Sequence, residues 1–254
     1  MFDPLNPNKM DKGSGDVNNY VAMPGYKPTV WDSGEDVQPD QFDIETTMFG
    51  KRTIQVYVPP GASAPLPVMY LQDGTTYIIR AHAIRIQRNL VKAGRVRPFI
   101  MVFVDPRERN KEYRANDQWA DFIANELVPE IDKRYRTVPA REGRASLGLS
   151  LGGITSLWIG LKHPEAFARL GGQSSSFWVD DERVVRELSK LDIGKTKFRF
   201  YLDDGTLEGT DDTRRVNVML RGKGYPVTYV ERETGHNITA ARDRLADAFV
   251  ALMN

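Results

Sequence analysis

The chain has 254 residues, 41% hydrophobic and 27% charged, with 35 Lys+Arg against 34 Asp+Glu and a formal net charge of +1. That balance argues against a nucleic-acid or membrane-surface partner held by charge, and the absence of cysteine excludes disulfides, thiolate metal sites and cysteine nucleophiles. Three histidines (His82, His163 and His236) leave little room for a polyhistidine metal site, and no apolar run approaches the ~18 residues of a membrane span.

Residues 1–40 hold five of the 15 prolines (Pro4, Pro7, Pro24, Pro28 and Pro39) with many Asn, Asp and Gly, which predicts an extended arm with little regular structure. Its scattered apolar residues, Phe2, Tyr20, Val21, Met23, Tyr26, Val30 and Trp31, suit a segment lying across a folded body better than a free tail. No basic stretch followed by an apolar one marks a signal peptide, so the expectation is a soluble cytoplasmic chain, or a secreted or periplasmic one if a leader was removed. Residues 41–254 are expected to form one folded domain.

From residue 42 the pattern changes. Residues 42–48 and 53–58 alternate around Phe49-Gly50-Lys51, which predicts a hairpin. Residues 68–71 read as a strand ending in Gln72-Asp73-Gly74, and residues 77–93 as a helix. The continuous apolar run 99–104 predicts a strand buried on both faces. Residues 116–134 place Trp119, Phe122, Ile123, Leu127, Val128 and Ile131 on one helical stripe. A short strand over 145–148 leads into a helix reaching Leu161. Strands follow at 169–173, 198–202 and 227–230, with a helix over 213–221 and a last one over 239–252. This alternation predicts an α/β fold: a mostly parallel sheet, helices on both faces, an antiparallel hairpin at one edge. The short stretch between Trp178 and Lys195 leaves no room for a large lid.

Gly148-Leu149-Ser150-Leu151-Gly152-Gly153 follows a strand and opens a helix, the setting of a G-x-S-x-G nucleophile elbow. A serine there sits on a strained turn, at a helix N-terminus whose dipole and free N–H groups favour a developing oxyanion. The serine needs a base, and His236, between the last strand and the last helix, is placed to serve. His163 precedes a proline and reads as a helix-end residue; His82 reads as surface or structural. The base needs an orienting acid, and five carboxylates crowd the loop after 198–202: Asp203, Asp204, Glu208, Asp211 and Asp212. Glu208 is the first choice, with Asp204 and Asp211 next. The order Ser150, Glu208, His236 is the serine–acid–histidine order of the α/β-hydrolases. Oxyanion donors are expected from the N–H of Leu151 and from that of Gly74 or Thr75. Asp73, Arg109 and Trp178 are candidates for lining the substrate cleft. The alternative for Arg109 and Glu112 is a structural ion pair, and for Phe177 and Trp178 a core role.

These motifs resemble the enterochelin esterase-like, esterase D-like family of α/β-hydrolases. The features that carry the resemblance run from about residue 42 to the C-terminus. They are Arg52 to Pro60, Leu71-Gln72-Asp73-Gly74, Arg109 to Asn116, Glu126-Leu127-Val128-Pro129, the elbow itself, His163-Pro164-Glu165, Gln173 to Trp178, Gly205-x-x-Glu208 and Gly235-His236. The resemblance implies Ser150 as nucleophile, His236 as base and Glu208 as acid, and favours Thr75 with Leu151 for the oxyanion hole. It implies a serine carboxylester hydrolase working through an acyl-enzyme, without cofactor or metal, on a small-molecule ester. The family also contains transferases, so an acyltransferase on the same residues is one alternative, and a silent binding module of the same fold is another. Assembly into like copies stays open. The enterochelin branch often has an additional N-terminal domain and tryptophans after the histidine; here residues 1–40 are an arm and 237–242 contain no tryptophan.

Overall fold

The computed structural model describes residues 5–7, 9–11, 17–21 and 25–254; the expectations attached to Phe2, Pro4, Met23 and Pro24 fall outside the described residues. In the arm, β1 (Lys9–Asp11) pairs antiparallel with β2 (Val17–Asn19), a short ribbon that the proline-rich composition did not suggest. Further on, the arm is tied down by polar contacts. The Tyr26 hydroxyl donates to Asp243 at 2.7 Å, Asn89 donates to the Trp31 carbonyl at 2.7 Å, and Arg85 donates to Asp32 at 2.9 Å.

The main sheet begins with the hairpin β3 (Asp40–Thr46) and β4 (Gly50–Tyr57), paired antiparallel. It continues with β5 (Val68–Gln72), β6 (Ile100–Val104), β7 (Arg144–Leu149), β8 (Arg169–Gln173), β9 (Arg199–Gly205) and β10 (Val227–Arg232). The eight strands lie in the order β10-β9-β8-β7-β5-β6-β4-β3. From β5 to β10 every neighbouring pair is parallel.

The alternation along β5 and β6 explains their unbroken apolar sequences. Val68, Tyr70, Ile100 and Val102 face one buried cluster, while Met69, Leu71, Met101 and Phe103 face the other. Successive strand residues point to opposite faces, so a strand covered on both sides needs apolar residues at every position. The first face is covered by α4 (Asp117–Asp121), α5 (Val128–Arg134), α6 (Leu151–Lys162), α7 (Val179–Ser189) and α8 (Asp211–Gly222). The second is covered by α1 (Gly74–Ile79), α2 (Ala83–Lys92) and α9 (Ile238–Met253). A single short turn, α3 (Arg109–Glu112), follows β6.

Three elements differ from expectation. The helix expected over 77–93 is two helices, broken at His82, which takes a left-handed backbone at φ 48° and caps α2. The helix expected over 116–134 is continuous but passes through a π-helical segment, Phe122–Leu127. Pro129 has no N–H and its ring crowds the carbonyl four residues back, and the wider turn just before it relieves that conflict. The third is α7, where only a short connection was expected. Its first turn holds three consecutive left-handed residues, Asp180, Asp181 and Glu182.

Candidate active site

The strand order reverses between β5 and β7, since the chain lays β6 on one side of β5 and then returns to lay β7 on the other. The helices that follow these two neighbours pack on opposite faces, α1 with Tyr77 on one and α6 with Leu157 on the other. A crevice therefore opens at the carboxyl ends of the strands, where open α/β sheets bind ligands. The segments leaving β5, β6, β7, β8, β9 and β10 all emerge at this edge. They carry Gly74–Thr75, Asp105, Ser150, Ser174–Ser176, Glu208 and His236 in turn.

Ser150 joins β7 to α6 with φ 62° and ψ −119°, a backbone a non-glycine residue holds only under strain. Its N–H donates to the Gln173 carbonyl at 2.9 Å, and its carbonyl accepts from the Ser176 N–H at 3.2 Å. The turn is tight enough that a Cβ on Gly148 would lie 2.2 Å from the Gly152 carbonyl oxygen. The Ser150 hydroxyl shares a hydrogen bond of 3.0 Å with Ser176 Oγ, and not with His236.

His236 presents Nδ1 to Glu208 Oε2 in a short hydrogen bond, and its imidazole is 46% exposed. Of the five carboxylates in the acidic loop, Glu208 is the one bonded to His236. Its other oxygen accepts from Ser174 Oγ at 2.8 Å and from the Gly205 N–H at 2.6 Å. Burial pushes the Glu208 carboxyl up, but the bonds from His236, Ser174 and Gly205 outweigh it and hold it below its ordinary value. The same bond to Glu208 raises the His236 imidazole above its ordinary value, against the opposing effect of burial. Asp204 accepts from Thr213 Oγ1 at 2.6 Å, and burial, together with the neighbouring Glu208 carboxylate, pushes its carboxyl up to about 7. Asp211 is 99% exposed and faces Arg214.

The oxyanion donors divide. Leu151 and Gly74 begin α6 and α1, and among the described residues their N–H groups find no hydrogen-bond acceptor. The Thr75 N–H is engaged: it donates to both oxygens of Asp105 at 3.1 and 3.0 Å, and the Thr75 hydroxyl donates to Asp105 at 2.6 Å. Asp105 was not singled out from the sequence. Among the described residues it has no cationic partner, and burial raises its carboxyl above the ordinary value.

Arg109 and Glu112 do not pair with each other. Arg109 grips Asp73 with two bonds of 2.8 Å, while Glu112, buried, accepts from Arg52 at 2.8 Å. Asp73 and Arg109 thus brace the two loops against each other. Phe177 is buried, but Trp178 is 70% exposed, which makes the two unlike. Next to α6 lies a cleft of about 510 Å³, lined by Tyr113, Arg114, Asn116, Asp117, Asp180 and Arg183. Arg114 reaches across it to Asp180, and both have left-handed backbones. His163 bonds Asp121 at 2.8 Å and His82 bonds Asp32 at 2.9 Å, each away from this edge. Among the described residues no group of three or more His, Asp or Glu is arranged to hold a metal ion, and no helix is long and apolar enough to cross a membrane.

Residues 46–241 match the family described as Putative esterase. The chain belongs to this family. It is a carboxylic ester hydrolase by that membership, with the mixed α/β-hydrolase architecture of the fold described above. An uncharacterised protein of Bacillus subtilis, YbbA, is 25% identical over 205 residues, covering 69% of this chain and 80% of that one. An endo-1,4-beta-xylanase/feruloyl esterase of Xylanibacter ruminicola is 30% identical over 164 residues, which are 58% of this chain and 22% of that protein. Among solved structures, the enterobactin esterase of Shigella flexneri in the presence of 2,3-dihydroxy-N-benzoyl-glycine superposes with a TM-score of 0.84 at 19% identity. That superposition covers 99% of this chain and 70% of the other.

Proposed function

We propose that this esterase works through a Ser150–His236–Glu208 triad and an acyl-enzyme. The observation that carries the reading is the turn 174–176, which joins nucleophile to acid. Ser176 bonds Ser150 through both its N–H and its hydroxyl, while Ser174 bonds Glu208. Glu208 keeps the proton on Nδ1 of His236, so Nε2 is left as the base. Ser150 exchanges Ser176 for Nε2 as substrate enters, and its proton passes to His236 while Oγ attacks the ester carbonyl. The Leu151 N–H, at the start of α6, holds the tetrahedral oxyanion together with the Gly74 N–H. The Thr75 N–H stays with Asp105. His236 then protonates the leaving alkoxide, and water releases the acyl group by the reverse of the same transfers.

The substrate class proposed is an ester whose acyl side carries an aromatic ring. Two things support it: the exposed indole of Trp178, two residues from the partner of Ser150, and the feruloyl and enterobactin esterase activities named for relatives. The test is Ser150→Ala with a fluorophosphonate probe, followed by kinetics on p-nitrophenyl acetate, methyl ferulate and a catechol siderophore. Labelling at Ser150 and loss of turnover in the variant are expected, with methyl ferulate and the siderophore, whose rings lie on the acyl side, bound at lower KM than p-nitrophenyl acetate. Wild-type turnover in Ser150→Ala would refute the nucleophile, and an added alcohol that outcompetes water would make the enzyme a transferase.

A further inference from the structure

Arg244 lies in α9, two turns beyond His236, and is completely buried. A buried guanidinium needs its donors directed at partners, and here the partners come from the end of β9 and from the loops after β8, β9 and β10, the last two carrying the acid and the base. One terminal nitrogen donates to Ser174 Oγ at 2.9 Å, and Ser174 passes its own proton toward Glu208 Oε1 at 2.8 Å. The same nitrogen stands 3.9 Å from Glu208 Oε1. The other donates to Thr234 Oγ1 at 2.8 Å, in the loop just before His236. Nε lies 2.9 Å from Asp203 Oδ1, an ion pair without hydrogen-bond alignment. Asp203, also buried, accepts further from Tyr201 at 2.7 Å and from Gln173 at 2.9 Å, and Gln173 accepts from Tyr77 of α1 at 2.9 Å.

From this arrangement we infer that Arg244 is a positioning residue for the triad. It acts through Ser174 on Glu208 and through Thr234 on the His236 loop. The inference rests on the Ser150–His236–Glu208 reading. A planar fork is suited to the task because its terminal nitrogens reach two loops at once in a fixed geometry, which a lysine ammonium does not reproduce. Its charge also opposes protonation of both Glu208 and His236. An opposite charge within ~4–6 Å shifts a carboxyl by 1–3 units, and His236, one residue removed, feels a fraction of that. Asp203 balances the charge so that the fork can stay buried.

Three chains test the assignment: wild type, Arg244→Lys, and Arg244→Met combined with Asp203→Asn so that no buried charge is orphaned. Kinetics on p-nitrophenyl acetate are followed across pH, along with the rate of fluorophosphonate labelling at Ser150. Arg244→Lys is expected to lower kcat about tenfold, with KM and the acid limb of kcat/KM unmoved. The double variant is expected to lose about 10²-fold in kcat, again with KM unchanged, and to move the acid limb upward by about half a pH unit. Its labelling rate should fall in step. A folded double variant with wild-type kcat and pH profile overturns the assignment. If that variant does not fold, Arg244→Lys decides: wild-type kcat and labelling rate overturn the assignment, and a kcat loss at constant KM upholds it. A wild-type chain that takes no label overturns the serine reading first, and this inference with it.

Discussion

Gly148 is the position where the elbow leaves least room, and Gly148→Ala puts a number on it. The added Cβ would sit 2.2 Å from the Gly152 carbonyl oxygen and 2.3 Å from its carbon, both backbone atoms of the first turn of α6. Real Cβ atoms essentially never come within 3.0 Å of such neighbours, so the turn has to open by about 0.8 Å. Overpacking of that kind costs about 1–3 kcal/mol. The opening falls between Ser150 and the helix start, so it moves Oγ and the Leu151 N–H relative to each other. A displacement of ~1 Å is worth about 10²-fold in rate. The variant should therefore unfold about 1–3 kcal/mol sooner in urea and hydrolyse p-nitrophenyl acetate about 10²-fold more slowly. Gly222→Ala is the matched control. Nothing lies within 4 Å of its added Cβ, so it should be neutral or stabilising by up to about 1 kcal/mol with unchanged turnover. A Gly148→Ala chain with the activity and stability of the control would refute the packing argument for the elbow.

With Glu208 raising His236, kcat/KM should fall on the acid side through a midpoint above 6.5, and Glu208→Gln should lower that midpoint and cost about 10²–10⁴ in kcat. A wild-type midpoint below 6.5 would contradict this. Asp105→Ala frees the Thr75 N–H; with Gly74 and Leu151 as the working donors, kcat should drop less than about tenfold, and a loss of about 10²–10³ would make Asp105 part of the oxyanion machinery. Trp178→Ala should leave the urea midpoint alone and raise KM for methyl ferulate about three- to tenfold relative to methyl acetate, which has no ring, the value of one stacking contact; equal KM changes for both would remove the indole from the site. Burial raises Asp204 to about 7, so the fold favours its neutral form and loses stability as pH climbs from the carboxylate range through about 7. Asp204→Asn imitates that neutral form and should gain on wild type in urea unfolding between about pH 5 and about pH 8.5, which a pH-independent difference would contradict.

The sheet was legible in the sequence because its strands obey one rule. Each residue of 100–104 is apolar because each of the two faces is covered, and no helix of five residues could be placed there without wasting half of them. What the pattern missed lies where backbone conformation departs from periodicity. His82 lies inside the helix read over 77–93 yet takes a left-handed backbone, held by Asp32 of the arm 50 residues earlier. A contact of that range leaves no trace in a local window. The three left-handed residues Asp180–Glu182 are similar: Asp180 is paired with Arg114 and Glu182 with Arg215, both from distant segments. Arg244 was passed over for a different reason. On the amphipathic pattern of α9 a charged residue reads as solvent-facing, and only a buried partner at Asp203, from another strand, turns it inward.

The acidic loop shows how a choice that is open in sequence closes in three dimensions. Asp203 and Asp204 are consecutive strand residues and must point to opposite faces, so neither is free to follow the loop toward His236. Asp203 meets Arg244 and Tyr201 on one side, and Asp204 meets Thr213 on the other. Asp211 and Asp212 begin α8, where acidic residues complement the helix dipole, and both remain at the surface. Glu208 alone lies on the turn between strand and helix. Its approach to His236 depends on Gly205: a Cβ there would come within 2.1 Å of the Thr234 carbonyl oxygen and 2.5 Å of Glu208 Oε1. The missing side chain lets the loops after β9 and β10 touch, and the contact is then sealed by the Thr206 N–H on the Arg232 carbonyl at 2.8 Å and the Leu207 N–H on that of Thr234 at 3.1 Å. The spacing Gly205-x-x-Glu208 thus has a mechanical meaning. The glycine admits the histidine loop, its own N–H binds the glutamate, and three residues of turn bring that glutamate back over the strand end to face the imidazole.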